Sequence, residues 1–303
     1  MPWRDDPSPY RTWVSEIMLQ QTTVAFVIPY FERFIKKFPN VERLASAQEE
    51  EVLALWAGLG YYSRAKNLFL AAQKIVKEHR GIFPSDFDSV ISLPGVGRYT
   101  AGAILSIAFQ KPYPVLDGNV SRVFSRLAAQ NKTSQEFWKM AEEYLDRDHP
   151  GDWNQALMEL GATVCAPENP RCEICPISPA CQAFKTKTQN LFPVPKIKKP
   201  FVRLDWSFLW IEREGKALLW KRGESEKLLK NHWGLPEVGK VKAEVGALIK
   251  SGAHTITHHQ IRLRVYAGNL REKNPAQAIW VEKRELPKLL VSSLWKKCLP
   301  GGN

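Results

Sequence analysis

The chain has 303 residues, enough for roughly two domains of about 150 residues each, with a core in both. Its formal net charge of +12 favours a polyanionic partner, although a basic surface also serves solubility. No run approaches the roughly 18 apolar residues of a membrane span, and the start, Met-Pro-Trp-Arg-Asp-Asp, lacks the apolar core of a signal peptide, so a soluble, cytoplasmic protein with no membrane partner is expected.

In chain order, Pro9 to Thr22 predicts a buried helix with Trp13, Val14, Ile17 and Met18 on its apolar side. Glu16 lies on another face of the same helix. A carboxylate beside so much apolar surface either reaches water, the commoner case, or has its pKa raised and becomes a general acid. More amphipathic helices follow from Pro29 to Val76, interrupted at Gly58 to Lys66. There two glycines open a turn, Tyr61 and Tyr62 can stack on bases or pack in a core, and Arg64 and Lys66 can meet phosphates.

Leu93 to Thr100 predicts a hairpin between a short helix at Ser85 to Ser92 and a second helix begun just past Gly97. Pro94 stops the first helix. Gly95 and Gly97 let backbone N–H groups, with Arg98 beside them, approach a DNA phosphate at a positive helix end, unless the turn is an ordinary one. Asp117 precedes a helical segment at Asn119 to Leu127, where it serves as an N-cap. Capping is compatible with catalysis. Glu16 pushed upward and Asp117 downward would pair an acid with an anionic stabiliser at a glycosidic carbon.

Cys165, Cys172, Cys175 and Cys181 are spaced C-x6-C-x2-C-x5-C, with prolines between, and suit a metal site better than disulfides. Spacing alone permits zinc or an iron-sulfur cluster. Cys298 reads as a core thiol. From Gln182 to Leu204 no acid occurs, while Lys185, Lys187, Lys196, Lys198, Lys199 and Arg203 alternate with prolines, as in an extended basic linker. Strand-like runs at Asp205 to Ile211, Ala217 to Lys221 and Ile261 to Tyr266, with a closing helix near Leu286 to Leu299, make the second domain α+β. The domain boundaries read as 1–184, a linker at 185–203, and 204–303.

Ser-Glu-Ile-Met-Leu-Gln-Gln-Thr at Ser15 to Thr22, Gly-Leu-Gly-Tyr-Tyr, Leu-Pro-Gly-Val-Gly-Arg-Tyr-Thr, Leu-Asp-Gly-Asn-Val and the cysteine cluster together resemble the MutY family of adenine DNA glycosylases. The resemblance implies an all-α helix-hairpin-helix glycosylase domain followed by a smaller α+β Nudix-like domain. It further implies a monomer that removes adenine paired with 8-oxoguanine or G in duplex DNA, and a four-iron, four-sulfur cluster on the cysteines. By the same resemblance Glu16 protonates adenine, Asp117 faces the sugar, and Tyr99 and Asn119 support them. Arg4 and Gln155 line the adenine pocket, and Gln20 or Gln21 and Tyr61 enter the base stack. Bifunctional relatives place a lysine where Tyr99 stands, so a monofunctional enzyme is expected. A mismatch thymine glycosylase and a non-catalytic lesion binder are the alternatives.

Trp233-Gly-Leu-Pro-Glu matches the start of the family's Nudix-like module. Val238 to Gly252 holds only Glu244 as an acid, which argues against diphosphate hydrolysis. The family's Phe-Ser-His lesion loop corresponds to Ile256-Thr257-His258, giving Thr257 the hydroxyl role and His258 the imidazole role. His254, His258 and His259 read as surface residues rather than metal ligands. The family usually carries a further helix ahead of the Pro-Trp-Arg found here at Pro2 to Arg4.

Overall fold

A computed structural model describes residues 1–194, 200–271 and 275–300. The chain divides into two compact units, Met1–Val52 with Tyr61–Lys196, and Leu53–Gly60 with Ile197–Asn303. Of the basic stretch expected to be a linker, residues 195–199 lie outside the described residues.

The first part of the chain runs through α1 (Pro9–Leu19), α2 (Val24–Lys37), α3 (Val41–Ala45), α4 (Glu49–Trp56), α5 (Ser63–His79), α6 (Phe87–Ile91), α7 (Arg98–Phe109), α8 (Gly118–Ala128), α9 (Ser134–Glu143), α10 (Pro150–Thr163) and α11 (Gln182–Lys185). In the first unit, Ser8 caps α1 by accepting from Arg11 N, with Pro9 at the first helical position. The helix ends at Leu19, three residues before the expected Thr22. Gln20 leaves helical geometry and Gln21 takes φ +57°, which turns the chain toward α2. Helix α1 packs on α2, α5 and α7, so most of its surface is covered and Trp13, Val14 and Met18 are fully buried.

The expected hairpin is formed by α6 and α7. Asp86 caps α6 through Ser89 N at 2.8 Å, and Gly95 adopts φ +78° in the turn, where a Cβ would stand 2.7 Å from Asn67 Cβ. Glycine is thus required there both by conformation and by space. Asp117 caps α8 through Val120 N, and α10 crosses both α7 and α8 over a core that includes Val120, Phe124, Phe137 and Leu157.

The second unit holds strands β1 (Val202–Arg213), β2 (Lys216–Lys221), β3 (Trp233–Gly234), β4 (Ala243–Ile256), β5 (His259–Leu270) and β6 (Ala278–Glu282) in one sheet. The order is β3-β2-β1-β5-β4, with β6 also on β2; β1 and β5 are parallel and the other pairs antiparallel. Phe208, Leu219, Leu263 and Trp295 lie in its core. The single closing helix expected at Leu286 to Leu299 is two, α12 (Leu286–Leu289) and α13 (Ser293–Cys298), because Ser292 caps a fresh helix through Leu294 N. Cys298 is fully buried, as expected. Among the described residues, no helix is long and apolar enough to cross a membrane.

Candidate active site and cysteine cavity

Three helices of the first unit bring Glu16, Tyr99 and Asp117 to one place: the middle of α1, the first turn of α7 and the N-cap of α8. Glu16 is 6% exposed, not the solvated glutamate that is commoner for this residue type. Burial pushes its carboxyl up from 4.5 to about 7. The Tyr99 hydrogen bond opposes that shift, the Asp117 charge adds to it, and the Arg4 charge opposes it. The Tyr99 hydroxyl donates to Glu16 Oε2 at 2.7 Å and lies 3.1 Å from Met158 Sδ. Its phenol is held well above its usual value, chiefly by burial, so it stays a neutral donor.

Asp117 Oδ1 accepts from Val120 N at 2.7 Å and Oδ2 from the Asn119 side-chain amide at 2.9 Å. The line of hydrogen bonds continues: Arg122 donates to Asn119 Oδ1 at 2.9 Å, to Gly161 O at 2.6 Å and to Cys165 O at 2.8 Å. The site residue Asp117 is thereby tied to the first cysteine. Arg122 was not among the sequence-based candidates. Its only signal was a position three residues after Asn119, on the same helix face. Glu159 was also missed; it pairs with Arg4 at 2.8 Å. Gln155, on α10, donates back to Gly151 O, and Gln20 donates to Thr100 Oγ1 at 3.4 Å. Gln21 and Tyr61 are exposed turn tips. Gly97 ends the hairpin with open space where a Cβ would project, while Arg98 lies over the Trp138 ring at 4.0 Å and pairs with Glu142 at 2.6 Å. Thr257 and His258 form the β4–β5 turn of the other unit, with Thr257 at φ +53°.

All four cysteines expected to bind metal line one cavity, together with Val123, Arg126 and Ile177. Among the described residues no group of three or more His, Cys, Asp or Glu side chains is set around a single-ion position. The donor chemistry fits a thiolate-held cluster. Arg126, 2% exposed, donates to Cys165 Sγ at 3.3 Å and to the carbonyls of Ala166 and Pro167 at 2.7 and 2.9 Å, placing fixed positive charge and donors beside sulfur. Burial, then the neighbouring thiols, holds Cys172 above the usual thiol range, a cost that a bound cationic centre would relieve.

The profile of the HhH-GPD superfamily of base excision DNA repair proteins matches residues 14–146. The adenine DNA glycosylase of Buchnera aphidicola subsp. Acyrthosiphon pisum is 42% identical over 233 residues, 75% of this chain and 66% of that protein. The adenine DNA glycosylase of Buchnera aphidicola subsp. Schizaphis graminum is 39% identical over 235 residues, 73% of this chain and 68% of that protein. The chain thus spans about two thirds of the length of these relatives. Among solved structures, a thermostable thymine-DNA glycosylase superposes with a TM-score of 0.58 at 29% identity, over 61% of this chain and 88% of that one. Helical hairpin, capped aspartate and buried glutamate therefore stand on a shared fold, and the chain belongs to the adenine DNA glycosylase family of the HhH-GPD superfamily.

Proposed function

We propose that the protein hydrolyses the N-glycosidic bond of adenine mispaired with 8-oxoguanine or G in duplex DNA, acting as a monomer and without strand cleavage of its own. The observation that carries this reading is the buried Glu16 carboxyl, hydrogen-bonded to Tyr99 and raised to about 7 beside Asp117. At neutral pH about half of such carboxyls still hold their proton and can deliver it to an adenine ring extruded from the duplex. The protonated base departs more easily, the sugar gains oxocarbenium character that the Asp117 carboxylate beneath it stabilises, and a solvent water adds at the anomeric carbon and loses a proton to complete the hydrolysis. Asn119 holds one Asp117 oxygen, and the α8 N-terminus the other. Tyr99 is a phenol where a bifunctional enzyme needs an amine, so no Schiff base forms.

Arg4, Gln155 and, through Arg4, Glu159 would line the adenine pocket. Gln20 or Gln21 and Tyr61 would enter the base stack, while Gly95, Gly97 and Arg98 would meet phosphate. Arg98 then has to exchange Glu142 for DNA. Cys165, Cys172, Cys175 and Cys181 would hold a four-iron, four-sulfur cluster, which when bound cross-links the loop between α10 and α11. In the second domain, residues 204–303 beyond a linker at 185–203, Thr257 and His258 would read the lesion. Trp233-Gly-Leu-Pro-Glu supports a Nudix-like module there, and β4, which follows it, carries Glu244 as its only acid, too few for a hydrolase's metal site.

A single-turnover assay on duplexes with A opposite 8-oxoguanine, A opposite G and T opposite G, with and without hot alkali, tests the reading. Scission at A only after alkali is the expected result. Release of thymine, or scission without alkali, overturns it.

A further inference from the structure

Gln21 and Tyr61 of the first unit both sit exposed in left-handed backbone, at φ +57° and φ +47°, the latter 46% exposed. Each such residue costs roughly 1–3 kcal/mol and persists where its surroundings over-determine it. One side chain meets both. Arg64, in the first turn of α5, is 8% exposed, and its Nη1 donates to the carbonyls of Ile17, Met18 and Gln20 at 2.8, 2.9 and 2.6 Å. Those are the carbonyls left open at the C-terminus of α1, where a cation is favoured. Gln20 is the residue directly before Gln21. The same guanidinium lies 5.6 Å from the centroid of the Tyr61 ring, and Arg64 N donates to Tyr61 O at 2.9 Å.

We propose that Arg64 is a positioning residue for base extrusion: its buried guanidinium holds the Gln21 and Tyr61 tips together in strained backbone, so that both enter the duplex as one preformed wedge. The inference rests on the proposed function, in which these tips enter the stack. A helix cap alone would account for the carbonyls but not for the ring held against the same group. Lysine is a poor replacement. Its ammonium keeps the charge, yet it reaches less far than the guanidinium nitrogens do and it has no flat face to lay on a ring.

The test uses the full chain and a duplex with 8-oxoguanine opposite a 2′-fluoro-deoxyadenosine, which resists base loss, and 2-aminopurine beside the lesion as a reporter of unstacking. Wild-type protein is expected to brighten the reporter on binding. Arg64→Lys, folded by circular dichroism, is expected to give at most one fifth of that rise at saturating protein. On the unmodified mispair its single-turnover rate should fall at least tenfold, with no movement of the pH midpoint set by Glu16. Arg64→Gln makes the same comparison if the lysine variant does not fold. A folded Arg64 variant with wild-type brightening and rate overturns the inference, as does a rate loss whose size follows the fall in melting temperature while brightening is retained. Gln21→Ala and Tyr61→Ala separate the two layers. If they leave brightening intact, or if wild-type protein gives none, the reading of the tips fails; if they abolish it and the Arg64 variants do not, only the role of Arg64 fails.

Discussion

The role proposed for Glu16 rests on how poorly its site tolerates the charged carboxylate. Its carboxyl is raised from 4.5 to about 7, so the folded state favours the neutral form relative to the unfolded chain. The resulting stabilisation is complete below about pH 4.5 and is lost as pH rises through 7, a swing of about 3 kcal/mol at 1.36 kcal/mol per unit. Glu16→Gln keeps a neutral side chain of the same shape. It should abolish adenine release yet escape this loss, so that urea unfolding at pH 8 gives the variant higher stability than wild type, and at pH 4 little difference. Wild-type activity in turn should fall about tenfold per pH unit above 7 in a kcat/KM profile, because only the protonated acid works. Asp117 separates its two tasks differently. Asparagine caps a helix as well as aspartate does but cannot also accept from the Asn119 amide, so Asp117→Asn should remove activity at a cost of about 1 kcal/mol, whereas Asp117→Ala should lose activity, that bond and the cap, about 2 kcal/mol in all.

The candidate site is assembled where elements touch, and α8 packs closely against α10. A Cβ on Gly161 would meet Asn119 Cβ at 2.7 Å and Asn119 O at 2.9 Å, contacts that backbone cannot relieve without moving. Gly161→Ala is therefore expected to cost roughly 1–3 kcal/mol by overpacking and to slow base release, since Asn119 holds an Asp117 oxygen; thermal melts and single-turnover rates check both. At this scale much was legible in the sequence: Pro94, Gly97 and Asp117 start or stop helices by their own chemistry, and α6, α7 and α8 follow them closely. Gly161 and Arg122 were not legible, because their value lies in a neighbour distant in sequence. Strand β4 escaped as well. All of its residues are exposed or half-buried, so no alternation of apolar and polar positions marks it.

At the scale of the whole molecule, composition alone pointed toward the partner, since a net charge of +12 on 303 residues suits a polyanion. The cysteine spacing likewise suggests a metal loop, while the proposal of a cluster rather than zinc rests on the family resemblance. What neither charge nor motif conveys is how affinity divides between phosphate and lesion, and ionic strength separates them. Each neutralised phosphate releases counterions, so a footprint of about six contacts should lose on the order of 10³ in affinity for undamaged duplex between 50 and 200 mM salt. Contacts to the lesion carry no such dependence. Thr257→Ala combined with His258→Ala should then leave the slope of log Kd against log salt unaltered while the rates on A opposite 8-oxoguanine and A opposite G converge by at least tenfold. Fluorescence anisotropy titrations at four salt concentrations, with single-turnover rates on both mispairs, decide the matter. A changed slope with an intact rate ratio would make the β4–β5 turn a phosphate contact, and would remove lesion reading from Thr257 and His258.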